Sequence, residues 1–205
     1  MLPLPSPAEL VRRVPRVLVG LVLFGLGVAF TVVSELGLSP WEVFHQGISR
    51  RTGVPLGMVG IAIGALVLFG WIPLREKIGI GTVLNVTIIG VVIDISLLIL
   101  PEQAGSAVWR WMALLGGIVL VAIGTGLYIG AGLGPGPRDG LMTGLAKRGY
   151  KMRRARTLIE MVVLIAGWLM GGTVGVGTVL FALAIGPAVE LSLRHASVAP
   201  IPAKA

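Results

Sequence analysis

Long apolar runs, separated by short clusters of glycine, proline and charge, dominate the pattern of this chain. Crossing the hydrocarbon of a bilayer takes about 20 apolar residues at about 1.5 Å each. Six stretches meet that need, at approximately 17–36, 55–73, 78–100, 111–132, 157–172 and 175–193. The fifth is the weakest, because it is short and carries Glu160 near its start. The first follows Arg12, Arg13 and Arg16, as a secretory signal would, but it is long for one. It also ends in "SELGLSPWE" with no small-residue cleavage site, so it reads as a retained span. The pattern predicts an all-α polytopic membrane protein. Trp71, Trp109, Trp111 and Trp168 fall near proposed helix ends, which suits an interfacial aromatic belt.

Two interruptions resemble each other. "LGLSPWEVFHQGISRR" occupies 36–51 and "LGPGPRDGLMTGLAKR" occupies 133–148, ninety-seven positions later. At that offset the stretch from Gly20 aligns without a gap on the stretch from Gly117. Gly27 then falls on Gly124, Pro40 on Pro137, Arg51 on Arg148, and Glu42 on Asp139. With one residue of slippage "GTVL" recurs, Gly90 meets Gly186, and Asp94 meets Glu190. The chain therefore divides into a Pro-rich N-terminus (1–16), a first repeat (17–101), a linker (102–110), a second repeat (111–195) and a tail (196–205).

Charge sets the expected orientation. With the N-terminus inside, 14 of the 17 lysines and arginines lie on inside segments, in accord with the positive-inside rule. Both termini are expected in the cytoplasm. Three spans per half is an odd number, so the second half enters from the opposite side. The prediction is six transmembrane helices arranged as two inverted-topology repeats, each with a short broken or re-entrant helix after its first span.

The local chemistry of that short helix is readable. Gly37 and Gly134 are suited to a left-handed helix stop. Ser39, Pro40 and Glu42 take N-cap, N1 and N3, the pattern of a capping box. Gly136, Pro137 and Asp139 take the same places in the second copy, with Arg138 at N2. Two placements fit: helices lying at the water interfaces, or helices folded back so that their N-termini face a central cavity and hold an anionic group.

Ionisable groups inside a span are costly, about 2.5 to 3.5 kcal/mol on insertion scales. Asp94 and Glu190 sit at mirrored depths in spans three and six. They either reach their interfaces and local cations or line a pathway as coupling or gating carboxylates. Asn85, at the middle of span three, either bonds across helices or contacts solute. Arg156 lies one turn from Glu160, the spacing of a local ion pair. Arg138 and Asp139 form a solvated pair, or, if the loop re-enters, Arg138 is the fixed cation of a site. Gly20, Gly27, Gly116, Gly117, Gly124, Gly126 and Gly130 are expected to permit close helix packing.

Several functions are disfavoured. There is no cysteine and there are only two histidines, His45 and His195, so no metal centre and no cofactor is expected. "GPGPRDG" lacks the ending of a phosphate-binding loop and follows no strand. No arrangement of a nucleophile beside a base is present, so no enzyme is expected. The net charge of +8 is assigned to loop orientation, with no nucleic-acid partner.

"LGLSPWEVFHQGIS", the following "GVPLGMVGIAIG" and "GLGPGPRDGLMTGL" together resemble the bacterial YczE/YyaS/YitT-like integral membrane proteins, in particular the YczE-like branch. The resemblance implies a multi-pass protein of the bacterial plasma membrane, of a kind often described as a candidate transporter, and supplies no substrate. The first expectation is a secondary transporter or permease for a small polar or anionic solute. Its pathway would use Glu42, Arg138 and Asp139, then Asp94, Glu190 and Asn85. The alternative is a non-transporting regulator or assembly factor acting through the basic loop 147–156 on anionic lipid or a partner. A homodimer is plausible for so small a bundle.

Overall fold

The computed structural model describes residues 6–101 and 105–196. They form eight helices, with no strand among the described residues: α1 (Pro7–Ser34), α2 (Pro40–Thr52), α3 (Leu56–Leu74), α4 (Ile80–Ile99), α5 (Ala107–Gly130), α6 (Pro137–Ala146), α7 (Met152–Leu169) and α8 (Val176–Ala196). Parts of the expected N-terminus, linker and tail, at 1–5, 102–104 and 197–205, lie outside the described residues.

Five helices are long and apolar enough to cross a membrane: α1, α3, α4, α5 and α8. The fifth predicted span, 157–172, lies largely within α7, which is not among them. Arg153, Arg154, Arg156 and Glu160 occupy its first half and leave too short an apolar run. Exposed Phe69, Leu98 and Leu183 on the outer faces of α3, α4 and α8 suit contact with lipid.

The helix limits differ from expectation for local reasons. Helix α1 starts well before position 17 because Ser6 and Glu9 form a capping box, with Pro7 at the first turn. It stops at Ser34, and the left-handed cap is Glu35 (φ 53°) in place of Gly37. Likewise α5 stops at Gly130, ahead of Gly134. The two glycines serve the linkers instead, at φ +118° and +126°. A Cβ on Gly37 would fall 2.7 Å from Thr178 Oγ1, and one on Gly134 2.8 Å from Thr82 Oγ1. No other residue type fits both the dihedral and the space.

Those two contacts explain why "GTVL" recurs. The Gly177 N–H donates to Leu36 O at 2.7 Å, and the Gly81 N–H donates to Leu133 O at 2.9 Å. Each linker thus docks on the start of a long helix from the other half of the chain. The central crossing of α1 and α5 is reciprocal in the same way. A Cβ on Gly20 would lie 2.7 Å from Gly124 O, and one on Gly27 2.6 Å from Gly117 O. Gly116, by contrast, faces open space and takes no part in packing.

The short helices also cross between halves. Helix α2 lies on α7, where Gly47 and Gly167 allow backbone approach. Helix α6 lies on α3, with Gly140 against the Trp71 ring. Trp71 therefore does not join an interfacial belt. It is 1% exposed and donates its indole N–H to Pro137 O at 2.9 Å, because a buried indole N–H needs an acceptor.

In one respect the halves differ. Helix α3 packs closely on α4, with Gly57 on Gly90 and Gly64 on Val86. Helices α7 and α8, the corresponding pair, stand apart.

Candidate functional site

The N-termini of α2 and α6 meet. Their first turns, 39–42 and 136–139, line one cavity of about 940 Å³ that extends to the first turns of α7 and the last turns of α8. Proline at N1 starts each helix without wasting a donor, and Ser39 or Gly136 supplies the extended N-cap backbone. The capping box expected at Ser39 does not form. Ser39 makes no side-chain cap bond, and the Glu42 carboxylate turns instead to Arg138, at 2.8 Å, ninety-six residues away. Glu42 is 5% exposed, so a charge-assisted bond to a guanidinium outweighs a neutral cap bond there.

Arg138 is thus not paired with its neighbour Asp139. Its guanidinium lies 4.8 Å from the centroid of the Trp41 ring, a cation–π contact that adds to the Glu42 bond. Asp139 accepts a hydrogen bond from the Tyr128 hydroxyl at 3.0 Å and makes no ion pair among the described residues. Each helix N-terminus already holds its own carboxylate. An entering anion would meet Glu42 and Asp139 with the central cation already engaged, so of the small polar or anionic solute expected from the sequence the anionic kind would be repelled here.

Asn85 lines the same cavity from α4, with its amide beside Gly136, and its side chain makes no hydrogen bond among the described residues. Trp41 Nε1 and His45 Nε2 are buried polar atoms of cavity-lining residues, and neither has a hydrogen-bond partner among the described residues. Such atoms call for an ordered water or a ligand nearby.

The two mirrored acids have different surroundings. The Asp94 carboxylate accepts from the backbone N–H of Gly57 at 2.6 Å and of Met58 at 3.0 Å, so it caps α3. It sits where Gly57 and Gly90 touch, at the closed α3–α4 seam. Glu190 lines the cavity and pairs with Arg194 at 3.0 Å, one turn away on α8. Its neighbour Gly186 has no atom within 4 Å of where a Cβ would be. At the same mouth Arg156 reaches Glu160 at 2.9 Å.

Sequence reasoning missed Tyr128, Trp41 and His45. One signal was available. The ninety-seven offset superposes Trp41 on Arg138, and these two residues touch in the structure.

Residues 11–194 match a family described as a family of unknown function (DUF6198). The chain belongs to that family. It is 39% identical to an uncharacterized protein of Haemophilus influenzae over 184 residues, 89% of this chain and 84% of that one. It is 38% identical over 191 residues to the uncharacterized membrane protein YczE of Bacillus subtilis, covering 90% and 87%. The Bacillus subtilis protein YyaS is 27% identical over 168 residues, covering 79% and 83%. No solved structure matches. With five membrane-length apolar helices, this DUF6198 protein is a membrane protein like YczE.

Proposed function

We propose that this DUF6198 protein is a small secondary transporter that works by alternating access between two inverted halves. The observation that carries this is the convergence of two broken-helix N-termini, one from each half, on one cavity that is shut at one seam and open at its counterpart. Discontinuous helices at a repeat interface are where many secondary transporters bind solute. The reciprocal contacts Gly20–Gly124 and Gly27–Gly117 support a two-fold relation between the halves.

In this proposal α7 is also a span, the fifth along the chain, with Arg153 and Arg154 reaching the cytoplasmic headgroups by their long stems. The charge asymmetry then places the α3–α4 seam outside and the α7–α8 mouth inside, so the conformation is inward-open. In the outward-open state the seams exchange roles. Gly186 would pack against α7 as Gly90 now packs on α3, Glu190 would cap α7, and Asp94 would release α3. Exposed Lys151, Arg153 and Arg154 make no ion pair among the described residues, which supports contact with anionic lipid at this face.

Two-sided labelling tests the proposal, in a background free of cysteine. Single cysteines at the cavity-lining positions Ile63 and Ile185 are exposed to an impermeant thiol reagent from either side of oriented vesicles. Reaction from both sides, faster from the cytoplasmic side, is expected. Reaction from one side only, under all solute and ion gradients, would end the transport reading and favour a non-transporting regulator.

A further inference from the structure

The charges lining the cavity do not balance. At the mouth, Arg156 with Glu160 and Arg194 with Glu190 form two pairs. At the centre, Arg138 is engaged by Glu42 at 2.8 Å and by the Trp41 face. Asp139 remains as the one cavity-lining carboxylate with no cationic partner among the described residues, held only by the Tyr128 hydroxyl and the first turn of α6. A carboxylate in an apolar enclosure is costly without a countercharge. Much of the cavity wall is apolar and aromatic: Phe24, Ile63, Val67, Ile89, Phe181 and Ile185. Such walls supply too few oxygen ligands for a bare inorganic cation, which would need several. They do accommodate a hydrocarbon body, and aromatic faces attract a diffuse positive charge.

We propose that the cavity binds an organic monocation, with its charge balanced by Asp139 and its apolar body against the α3, α4 and α8 walls. The unpartnered Asn85 amide beside Gly136 is available to a polar substituent of the same molecule. As a solute class this rests on the transport proposal, but binding itself requires no turnover.

The test uses the purified full chain in detergent, with tetraphenylphosphonium as the cationic probe and benzenesulfonate as the anionic one. Saturable binding of about one phosphonium per chain is expected, with no binding of the sulfonate. Asp139→Asn should weaken phosphonium binding at least ten-fold and Asp139→Glu should restore most of it. Asn85→Asp adds a second carboxylate without altering α6 and should tighten binding several-fold, which keeps the test decisive if Asp139→Asn misfolds. Equal binding by the wild type and Asp139→Asn would overturn the proposal. So would no phosphonium binding at all, or an affinity unchanged or weakened by Asn85→Asp. Cation binding combined with one-sided thiol labelling would keep this site and remove transport. Two-sided labelling without cation binding would keep transport and remove the cation.

Discussion

Replacing Asp94 by asparagine tests whether the α3–α4 seam is a gate. Helix α3 begins after Pro55, whose side chain offers no acceptor, so its first N–H groups depend on Asp94. Hydrogen bonds to a charged group contribute about 1.5 to 3 kcal/mol each. Asparagine keeps one oxygen for one of the two N–H donors, loses the charge, and sets an amide donor against the other. A loss of about 2 kcal/mol from the closed seam is a fair expectation, and at about 1.4 kcal/mol per factor of ten it shifts the equilibrium about 25-fold. Under the alternating-access proposal this penalty falls on the present state alone, because α3 would no longer need the cap in an outward-open state. Ile93, which is buried and lines the cavity, is the reporter position. Cysteine at 93, labelled from outside with an impermeant reagent, should react more than ten-fold faster in the Asp94→Asn background. An unchanged outside rate in folded protein refutes the gate.

Five further substitutions have expected outcomes. Gly186→Val should leave stability intact, since nothing lies within 4 Å of its new carbon, yet abolish outside labelling by blocking inner closure. Gly90→Val, whose Cβ would sit 2.5 Å from Gly57 O, should do the reverse and raise outside labelling. Trp71→Phe removes the buried indole hydrogen bond to Pro137 O, at a cost of about 0.5 to 1.5 kcal/mol, and should lower the melting temperature in detergent. Gly27→Val forces a carbon 2.6 Å from Gly117 O and should cost about 1 to 3 kcal/mol by overpacking, whereas Gly116→Val, facing open space, should melt like the wild type.

Hydropathy made α1, α3, α4, α5 and α8 legible, because length and apolarity decide whether a helix suits a bilayer. The same signal was ambiguous for α7, where four charged residues share the helix with the apolar run. The short helices were legible from Pro40 and Pro137, since proline at N1 is a local rule. What their acids bond to was not. The Ser39–Glu42 spacing has the form of a local cap, but Arg138 arrives from the other half and takes the carboxylate. Trp71 misled for a related reason. The interfacial preference of tryptophan is a statistical rule, and a single buried carbonyl on α6 overrides it. Asp94 was legible as costly but not as a helix cap, because its donors lie on α3, thirty-six and thirty-seven residues away.

The docking of each linker on the opposite half bears on how the protein is made. When the ribosome has released the first half, Gly20 and Gly27 present bare backbone notches to lipid, and Leu36 O has no donor until Gly177 is synthesised. The nascent first half is therefore an unfinished membrane intermediate, held in place by its hydrophobicity but not yet packed. Its maturation waits for translation of the second half, and an insertion machinery that shields small-residue faces from quality-control proteases would serve it during that interval. A cell expressing the halves from separate messages would have to match their supply, since each carries the surface that completes the other.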